Sequence, residues 1–552
     1  VEPSVNIVFG LPGQGMHFGA DPLSWLFLAL LVPQVLAAAL SEMRGSLTFW
    51  VFAAGMVCAV LGADGFTLMF GFELMSAASW LLVLRGDRKP AVLYVAVGMF
   101  SAACLIPAIF IPASGTAFLL VFFGAGAKAG LAPLYSWLPR AHPAPPACVS
   151  AVMSGGMVKV ALYVLIRYAF INLAPAAMPW WGVLLMVAGA ASVLIGALRA
   201  MLETELKTLL ACSTVEHVGL ISIGLGIALY AKAAGDAELA AVAMQGALLC
   251  AVGHAFYKPM LFIGAGAVKH AAGTASLNEL GGLLRGMPVA GGFMLLGAMG
   301  MAALPLGPGF APVLLLLHAV MQGAGTGGIL SRIGFTALLA VLGMAEALAL
   351  GAAVRLVGIG FLGRPRSLHA AAAEDAGLAV RFSMGLLAAG CVAVALLPGL
   401  VLWAMQPVVA QLVPGSVFAG LDYQPLMLLL LLALCALGLL GVLFNFGARG
   451  QREAETWNGG FGAAPAWQPF GDPATQPTAS GFAEPVYRAI GATLLPGGAD
   501  VGEVLLLAPL QRLNLRVTRL AEYVRRATLR QRLAFVFAAL VMFLLALGLV
   551  AG

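Results

Sequence analysis

The stretch GAGAKAGLAPLYSWLPRAHP, residues 124–143, sets a lysine, Lys128, a few residues before a proline, Pro133, inside an apolar run. A charge near the bilayer centre costs at least ~2.5–3.5 kcal/mol on insertion scales. A proline inside a helix breaks the hydrogen-bond ladder and frees backbone groups that need other partners. Both features make sense together if a membrane helix breaks here and the break is hydrated.

The rest of the chain agrees with lipid as its main solvent. Of 552 residues, 62% are hydrophobic and only 9% are charged, and the mean hydropathy is +1.00. A soluble protein cannot bury that much apolar surface, so a conventional soluble enzyme is excluded. The apolar runs sort into about 14–15 candidate spans of about 20 residues each. Clear examples are 23–40, 65–84, 91–112, 148–171, 179–199, 383–404, 423–446 and 532–551. Helices satisfy their own backbone within the bilayer, and the short alternating segments of a membrane β-barrel are absent. The fold class is therefore an all-α polytopic membrane protein.

Seven scattered cysteines (58, 104, 148, 212, 250, 391 and 435) contain no CxxC pair. Their spacing argues against an iron–sulfur cluster, a zinc site or a disulfide framework. Seven dispersed histidines do not suggest a bis-histidine haem. The net charge of +6 fits membrane topology, and no nucleic-acid partner is expected. No cleavable signal pattern stands at the start, and the first residue is Val1, which leaves open residues upstream of it. Arg44, then Arg85, Arg88 and Lys89, then Arg140, Arg199 with Lys207, Lys269 with Arg285, and Arg332 fall on every second loop, which places those loops in the cytoplasm. Arg364 and Arg366 in FLGRPRS break the alternation, so either the span count slips there or these arginines meet a partner.

Along the chain, residues 1–22 are a polar-to-mixed lead and 23–446 form the membrane body. Residues 447–500, rich in Pro, Gly and Ala, read as an extramembrane loop. Residues 501–531, with Arg512, Arg516, Arg519, Arg525, Arg526 and Arg530, read as a basic amphipathic interfacial helix, and 532–552 as a terminal anchor. The stretches KAGLAPLYSWLP (128–139) and AALPLGPGFAPV (302–313) are both apolar spans interrupted by proline, Pro133 in one and Pro305, Pro308 and Pro312 in the other. Interrupted spans in corresponding halves are a signature of transporters built from repeats.

The ionisable groups inside the spans are Glu73, Lys128, Lys159, Glu216, His217, His254, Lys258, His318, Glu346 and Arg355. His254 and Lys258 are four residues apart and share a helix face. Burial disfavours a lysine's charge and a nearby carboxylate restores it, so Glu73 beside Lys128 would give a site whose proton affinity depends on its partner. Static ion pairs that fix helix packing are the competing reading. A series spread over several spans favours a hydrophilic conduction path. His217 and Glu346 also suit span ends where water solvates them.

At these residues the chain resembles a known superfamily. GAGAKAGLAPLYSWLPRAHPAPPACVSAVMSGGMVKVALYVLIR is similar to the antiporter-like subunits of respiratory complex I, Mrp-type Na⁺/H⁺ antiporters and membrane-bound [NiFe] hydrogenases. FGADPLSWLFLALL, LMFGFELMSAASWLL, ETELKTLLACSTVEHVGLI, GHAFYKPMLFIGAGAVKH and LNELGGLLRGMP add to the match over about residues 18–360. STVEHVGL, FLGRPRS and the tail TWNGGFG…TQPTASGFAEPVYRAI resemble the hydrogenase-4 and formate hydrogenlyase branch.

The resemblance implies two inverted five-helix repeats, about 65–230 and 238–362, each with one broken helix. It implies that Glu73 and Lys128 form the carboxylate–lysine pair of the first half-channel, and that Lys159 with His254 and Lys258 continues the path. Glu216, His217, His318 and Arg355 complete the candidate translocation set. Two departures stand out. Pro312 and Val313 occupy the place of the charge usual after the second GF, with His318 five residues beyond Val313, and Arg140 replaces the acid usual after WLP, with Arg355 where lysine is frequent.

The expected function is that of a proton- or Na⁺-translocating subunit of a membrane redox complex in a prokaryotic inner membrane. Such a subunit has no cofactor, metal or catalytic redox site of its own. Its partners would be other antiporter-like and small membrane subunits, membrane lipid, and a peripheral arm with iron–sulfur and [NiFe] or dehydrogenase subunits. A non-pumping anchor, which Val313 favours, and a subunit of an Mrp-type antiporter are the alternatives.

Overall fold

The computed structural model describes residues 4–7, 15–43, 45–416, 420, 421, 423–446 and 476–490. The helix expected at 501–531 and the span at 532–551 lie outside the described residues. The lead, which the sequence shows only as a polar-to-mixed segment, contains a small antiparallel pair, β1 (Ser4–Ile7) with β2 (Met16–Gly19). The other described elements are helices. Ten described helices are long and apolar enough to cross a membrane, and five shorter apolar ones accompany them.

The body runs α1 (Pro22–Met43), α2 (Leu47–Leu61), α3 (Gly65–Gly86), α4 (Arg88–Phe110), α5 (Gly115–Ala129) and α6 (Ala147–Asn172). It continues through α7 (Pro179–Leu202), α8 (Leu206–Ala234), α9 (Ala237–Ala272), α10 (Pro288–Met301), α11 (Phe310–Gly325) and α12 (Ile329–Ile359). Then follow α13 (Leu378–Leu396), α14 (Pro398–Leu412), α15 (Pro425–Phe446) and the tail helix α16 (Ala479–Ile490). Short polar residues set the starts by accepting from orphan N–H groups of the first turn. Asp21 does so for α1, Asp64 for α3, Ser114 for α5, Glu205 for α8 and Asp236 for α9. Asp21 also takes the Arg167 guanidinium at 2.7 Å, tying the start of α1 to the far end of α6. Burial pushes the Asp21 carboxyl up, but hydrogen bonds from Ser24 and Gln411 and the Arg167 charge outweigh this and hold it below the usual carboxylate range.

Three crossings are interrupted. α5 stops at Gly130, whose φ of 79° closes the helix in a left-handed turn, with the Leu131 amide donating to the Gly126 carbonyl. A single turn, Trp137–Ala141, resumes beyond Pro133. The second break separates α10 from α11 over residues 302–309 and contains Pro305 and Pro308, while Pro312 sits in the first turn of α11. The third differs from expectation: the run at 383–404 is not one helix but splits at Leu397–Pro398. α13 lies antiparallel to α9, with Met384 against Gly264 and Val394 against Gly253. It therefore ends level with the middle of α9, and α14 completes the crossing to reach Lys232, whose Nζ donates to the Leu412 carbonyl at 2.8 Å.

These breaks correct the charge reading. Because α10 and α11 together make one crossing, Arg364 and Arg366 fall on the same face as Lys207 and Lys269. Arg366 donates to the Leu280 carbonyl at 3.0 Å, in the loop between α9 and α10. Among the residues that gave the alternation, the exception is instead Arg332, at the opposite end of α12. The span count, not the chemistry, produced the anomaly.

Glycine seams set the tightest contacts. A Cβ at Gly182 would meet the Gly226 carbonyl oxygen at 2.4 Å, one at Gly189 the Gly219 oxygen at 2.8 Å, and one at Gly196 the Glu216 amide at 2.4 Å. α7 and α8 thus touch backbone to backbone, the close packing that small residues permit between membrane helices. α2 and α3 repeat the device, with Gly71 against the Ala59 amide at 2.2 Å. Gly196→Val should push α7 off α8 beside Glu216 and cost about 3 kcal/mol or more. Thermal unfolding in detergent against wild type measures it, and an unchanged midpoint would refute the seam.

Candidate functional site

The buried titratable groups gather on α3, α5, α6, α8, α9 and α12, next to the breaks. Lys128 occupies the last turn of α5, where the carbonyl end of the helix favours a cation. Its Nζ donates to the Tyr94 hydroxyl at 2.9 Å and lies 4.3 Å from the Tyr94 ring centroid. Glu73 makes no direct ion pair with it that the structure records, but its carboxylate lies within the field of Lys128. Ser76 and Ser79 follow Glu73 at helical spacing on α3. The Ser79 hydroxyl shares a 2.6 Å hydrogen bond with the Tyr94 hydroxyl, so one face of α3 leads from the carboxylate to the lysine's partner. The Tyr94 hydroxyl also reaches the Met157 thioether at 3.0 Å. Indole N–H of Trp137 donates to the Ala127 carbonyl at 2.8 Å, satisfying an acceptor that the break frees.

The second group centres on α9. A π-turn at Met153–Met157 precedes Lys159, and such turns concentrate at functional sites. It presents the Ser154 carbonyl to Lys159 Nζ at 3.2 Å. Gly155 is required there, because a Cβ would collide with Gln34 and Pro259, each at 2.3 Å. Lys159 Nζ also bonds His254 Nδ1, and Lys258 Nζ bonds Ser213 Oγ. His254 and Lys258 share a face as their spacing requires, yet neither bonds the other. His217 Nδ1 donates to the Ser213 carbonyl at 2.8 Å, which leaves Nε2 as the free nitrogen. The His217 and His254 rings lie 5.1 Å apart, and the Tyr257 ring is 5.5 and 5.4 Å from them. Glu216 is fully buried, within the fields of Lys258 and Glu346.

A set of polar atoms in this seam has no protein partner: one oxygen of Glu73, the Ser76 hydroxyl, both oxygens of Glu216, His254 Nε2, the Tyr257 hydroxyl and one oxygen of Glu346. Leaving a buried polar group unpaired costs about 1–3 kcal/mol each. Water is the partner that removes this cost, and it needs several polar groups around it to be held.

Two expected members do not join. His318 is exposed on α11, away from the seam. Arg355 is fully buried, but its guanidinium is spent on backbone carbonyls: Ala200 at 3.4 Å, Met201, Glu203 at 2.8 Å and Ala479 at 3.1 Å. The first three are orphan acceptors at the end of α7 and the fourth is the carbonyl of the first residue of α16, so Arg355 ties the two helices together. Arg355→Lys cannot keep that fork. It should lower stability by at least about 2 kcal/mol and speed protease cleavage near 476–490. Proton flux per folded molecule should hold; a flux loss without destabilisation would return Arg355 to the path. His217 and Glu346, which sequence reading also allowed as solvated span ends, are respectively buried and half-buried. Val313 is buried and α11 brings no titratable side chain to the seam. Tyr94, Ser213, Tyr257 and His142 were missed. Ser213 stands one turn before His217, a spacing that carried the signal.

The family model described as NADH:quinone oxidoreductase/Mrp antiporter, TM, matches residues 74–339. Hydrogenase-4 component B of Escherichia coli K12 is 33% identical over 471 residues, covering 77% of this chain and 70% of that protein. Formate hydrogenlyase subunit 3 of the same organism is 30% identical over 359 residues, covering 61% and 58%. The solved structure of the membrane-bound sulfane sulfur reductase, an archaeal respiratory membrane complex, aligns with a TM-score of 0.73 at 20% identity, over 99% of this chain and 92% of the matched one, and shares its fold. On its identity to hydrogenase-4 component B and its match to the family model, this chain belongs to the family of antiporter-like membrane subunits found in complex I, Mrp antiporters and hydrogenases.

Proposed function

We propose that the chain carries protons across the membrane as the ion-translocating subunit of a multi-subunit redox complex of the hydrogenase-4 or formate hydrogenlyase kind. The single observation that carries this reading is the seam itself. Glu73, Lys128, Lys159, His254, His217, Lys258, Glu216 and Glu346 stand on core helices of one bundle, and Glu73, His254, Glu216 and Glu346 among them carry polar atoms with no protein partner. A proton would pass from the Glu73–Lys128 pair toward Lys159, cross the histidines to Lys258, and leave by Glu216 and Glu346. The thioether of Met157 cannot relay a proton, so the step between Tyr94 and Lys159 requires water.

The helix order favours repeats at 47–172 and 179–359 in place of 65–230 and 238–362. Each set opens with a glycine-packed pair, α2–α3 or α7–α8, and carries its broken crossing fourth. Five crossings are an odd number, so the second set starts from the opposite face, which is the inverted relation. Under this register Glu73 and Glu216 both lie on the second helix of their set.

Electron transfer would belong to a peripheral arm with iron–sulfur and [NiFe] or dehydrogenase subunits, and further antiporter-like and small subunits would flank the chain in a prokaryotic inner membrane. Val313 favours a second reading, a non-pumping anchor whose last half-channel lacks its usual charge. Glu346 answers that objection by placing a carboxylate beyond Glu216. The test is proton flux through the full chain in sealed vesicles, driven by a valinomycin-clamped potassium potential and read with a trapped pH dye. Flux above empty vesicles is expected, and none would end the pump reading.

A further inference from the structure

On the face that bears Lys207 and Lys269, two adjoining troughs of about 800 and 530 Å³ open between the ends of α1, α3 and α9 and the loop before α6. Arg85, Lys207 and Lys269 line the larger trough, Glu374 lines the smaller, and Glu42 and His270 line both. Gly266 and Ala147 line both, and a Cβ at Gly266 would meet the Ala147 Cβ at 2.4 Å, so α9 and the start of α6 touch there. Pro143 and Pro145 line the larger trough, and next to Pro143 in the chain stands His142, which no step above uses.

His142 is fully buried, with its ring 6.1 Å from that of Trp137 and 5.3 Å from that of Phe262. Neither ring nitrogen has a protein hydrogen-bond partner. A phenylalanine would fill this aromatic slot without leaving two buried polar atoms unmatched, so packing alone does not account for a histidine. The loop is fixed on both sides. Ser150 Oγ donates to the His142 carbonyl at 2.7 Å, and Lys207 Nζ donates to the Pro145 carbonyl at 2.7 Å. Lys207 faces the trough, Lys258 belongs to the seam, and the fields of both reach the His142 ring.

We propose that the troughs are a loading vestibule for protons and that His142 relays them across the proline loop to Lys258. One ring nitrogen takes a proton from vestibule water. The N–H on the opposite nitrogen gives its proton to the unprotonated Lys258 amine, through water. Exchange of the ring proton between nitrogens resets the histidine, so nothing is consumed. Glu42, Glu374 and His270 gather protons at the mouth, and the three cations keep the vestibule from trapping them. This relay rests on the proton-translocation reading and gives Lys258 a supply from this face, in addition to the one that arrives from Lys128 over the histidines.

The test uses the full chain in vesicles under an imposed potential, comparing wild type, Lys258→Met, His142→Phe and His142→Ala. His142→Phe keeps the ring stack and removes both nitrogens. It is expected to lower flux at least about two-fold, because only the supply over Lys128 and the histidines remains, with an unchanged elution volume and melting midpoint. His142→Ala should lose flux equally and regain a measurable part with imidazole added on the vestibule side, which a purely structural role would not do. Wild-type flux in His142→Phe, with Lys258→Met dead, overturns the relay and leaves translocation standing. No flux in wild type removes both.

Discussion

Replacing Lys258 by methionine is expected to lower proton flux by about 100-fold or more while the chain still folds. Methionine keeps most of the aliphatic stem, so the change removes the Nζ with little loss of packing. That atom bonds Ser213 Oγ, and its charge is the cation within whose field fully buried Glu216 sits. Without it, the proton that leaves His217 or His254 has no acceptor on α9, and Glu216 loses the charge that favours its ionised form. The two losses act in series on one path, so they should not be rescued by raising the driving potential. Flux under the clamped potential, normalised to folded protein, reads the outcome. A rate within two-fold of wild type would show that protons bypass α9. Glu216→Gln is the companion change: it removes the acceptor but leaves Lys258, and on a single path it should depress flux without adding to the Lys258→Met defect.

The class of fold was legible because apolar length and loop charge are one-dimensional signals. α1, α3, α4, α6 and α7 match the expected spans within a few residues. The breaks at Pro133 and at Pro305–Pro308 were legible for the same reason. The break at Pro398 was not, because Leu396, Leu397 and Leu400 on either side give an unbroken hydropathy signal and only the packing of α13 along α9 reveals its depth. Counting that crossing and the α10–α11 crossing correctly also moves Arg364 and Arg366 to the basic face. In the site, single charged residues in apolar runs stand out by their cost, which singles out Lys128, Lys159, His254 and Lys258, and the structure buries all four. Arg355 stood out equally, but a sequence cannot distinguish a guanidinium aimed at helix-end carbonyls from one aimed at a proton path. His142 was hidden by its setting: it stands beside Pro143 and Pro145 in a loop, and only the fold shows its side chain to be buried. His318 failed in the reverse sense, since its apolar flanks suggest burial and the helix turns it outward.

Lys128→Ala decides between the pump and the anchor. If the seam conducts, this change should uncouple proton movement from turnover, with subunit assembly intact. Lys128 is held by one hydroxyl and one ring face, both from Tyr94, and its burial does not rest on a direct ion pair. A lysine kept mid-membrane on so weak a hold is poorly explained as a structural staple, because the cost of its charge is not returned by packing. A group that must be able to lose its proton needs such a hold. Tyr94→Phe should therefore slow flux less than Lys128→Ala, since the ring contact survives and only the hydroxyl is lost. An anchor predicts the opposite pattern. Lys128→Ala would then leave redox turnover and flux in the assembled complex unchanged, and removal of residues 450–552 would release the peripheral subunits. Turnover measured together with vesicle acidification separates the two, because a pump loses acidification before it loses assembly, whereas an anchor loses assembly alone.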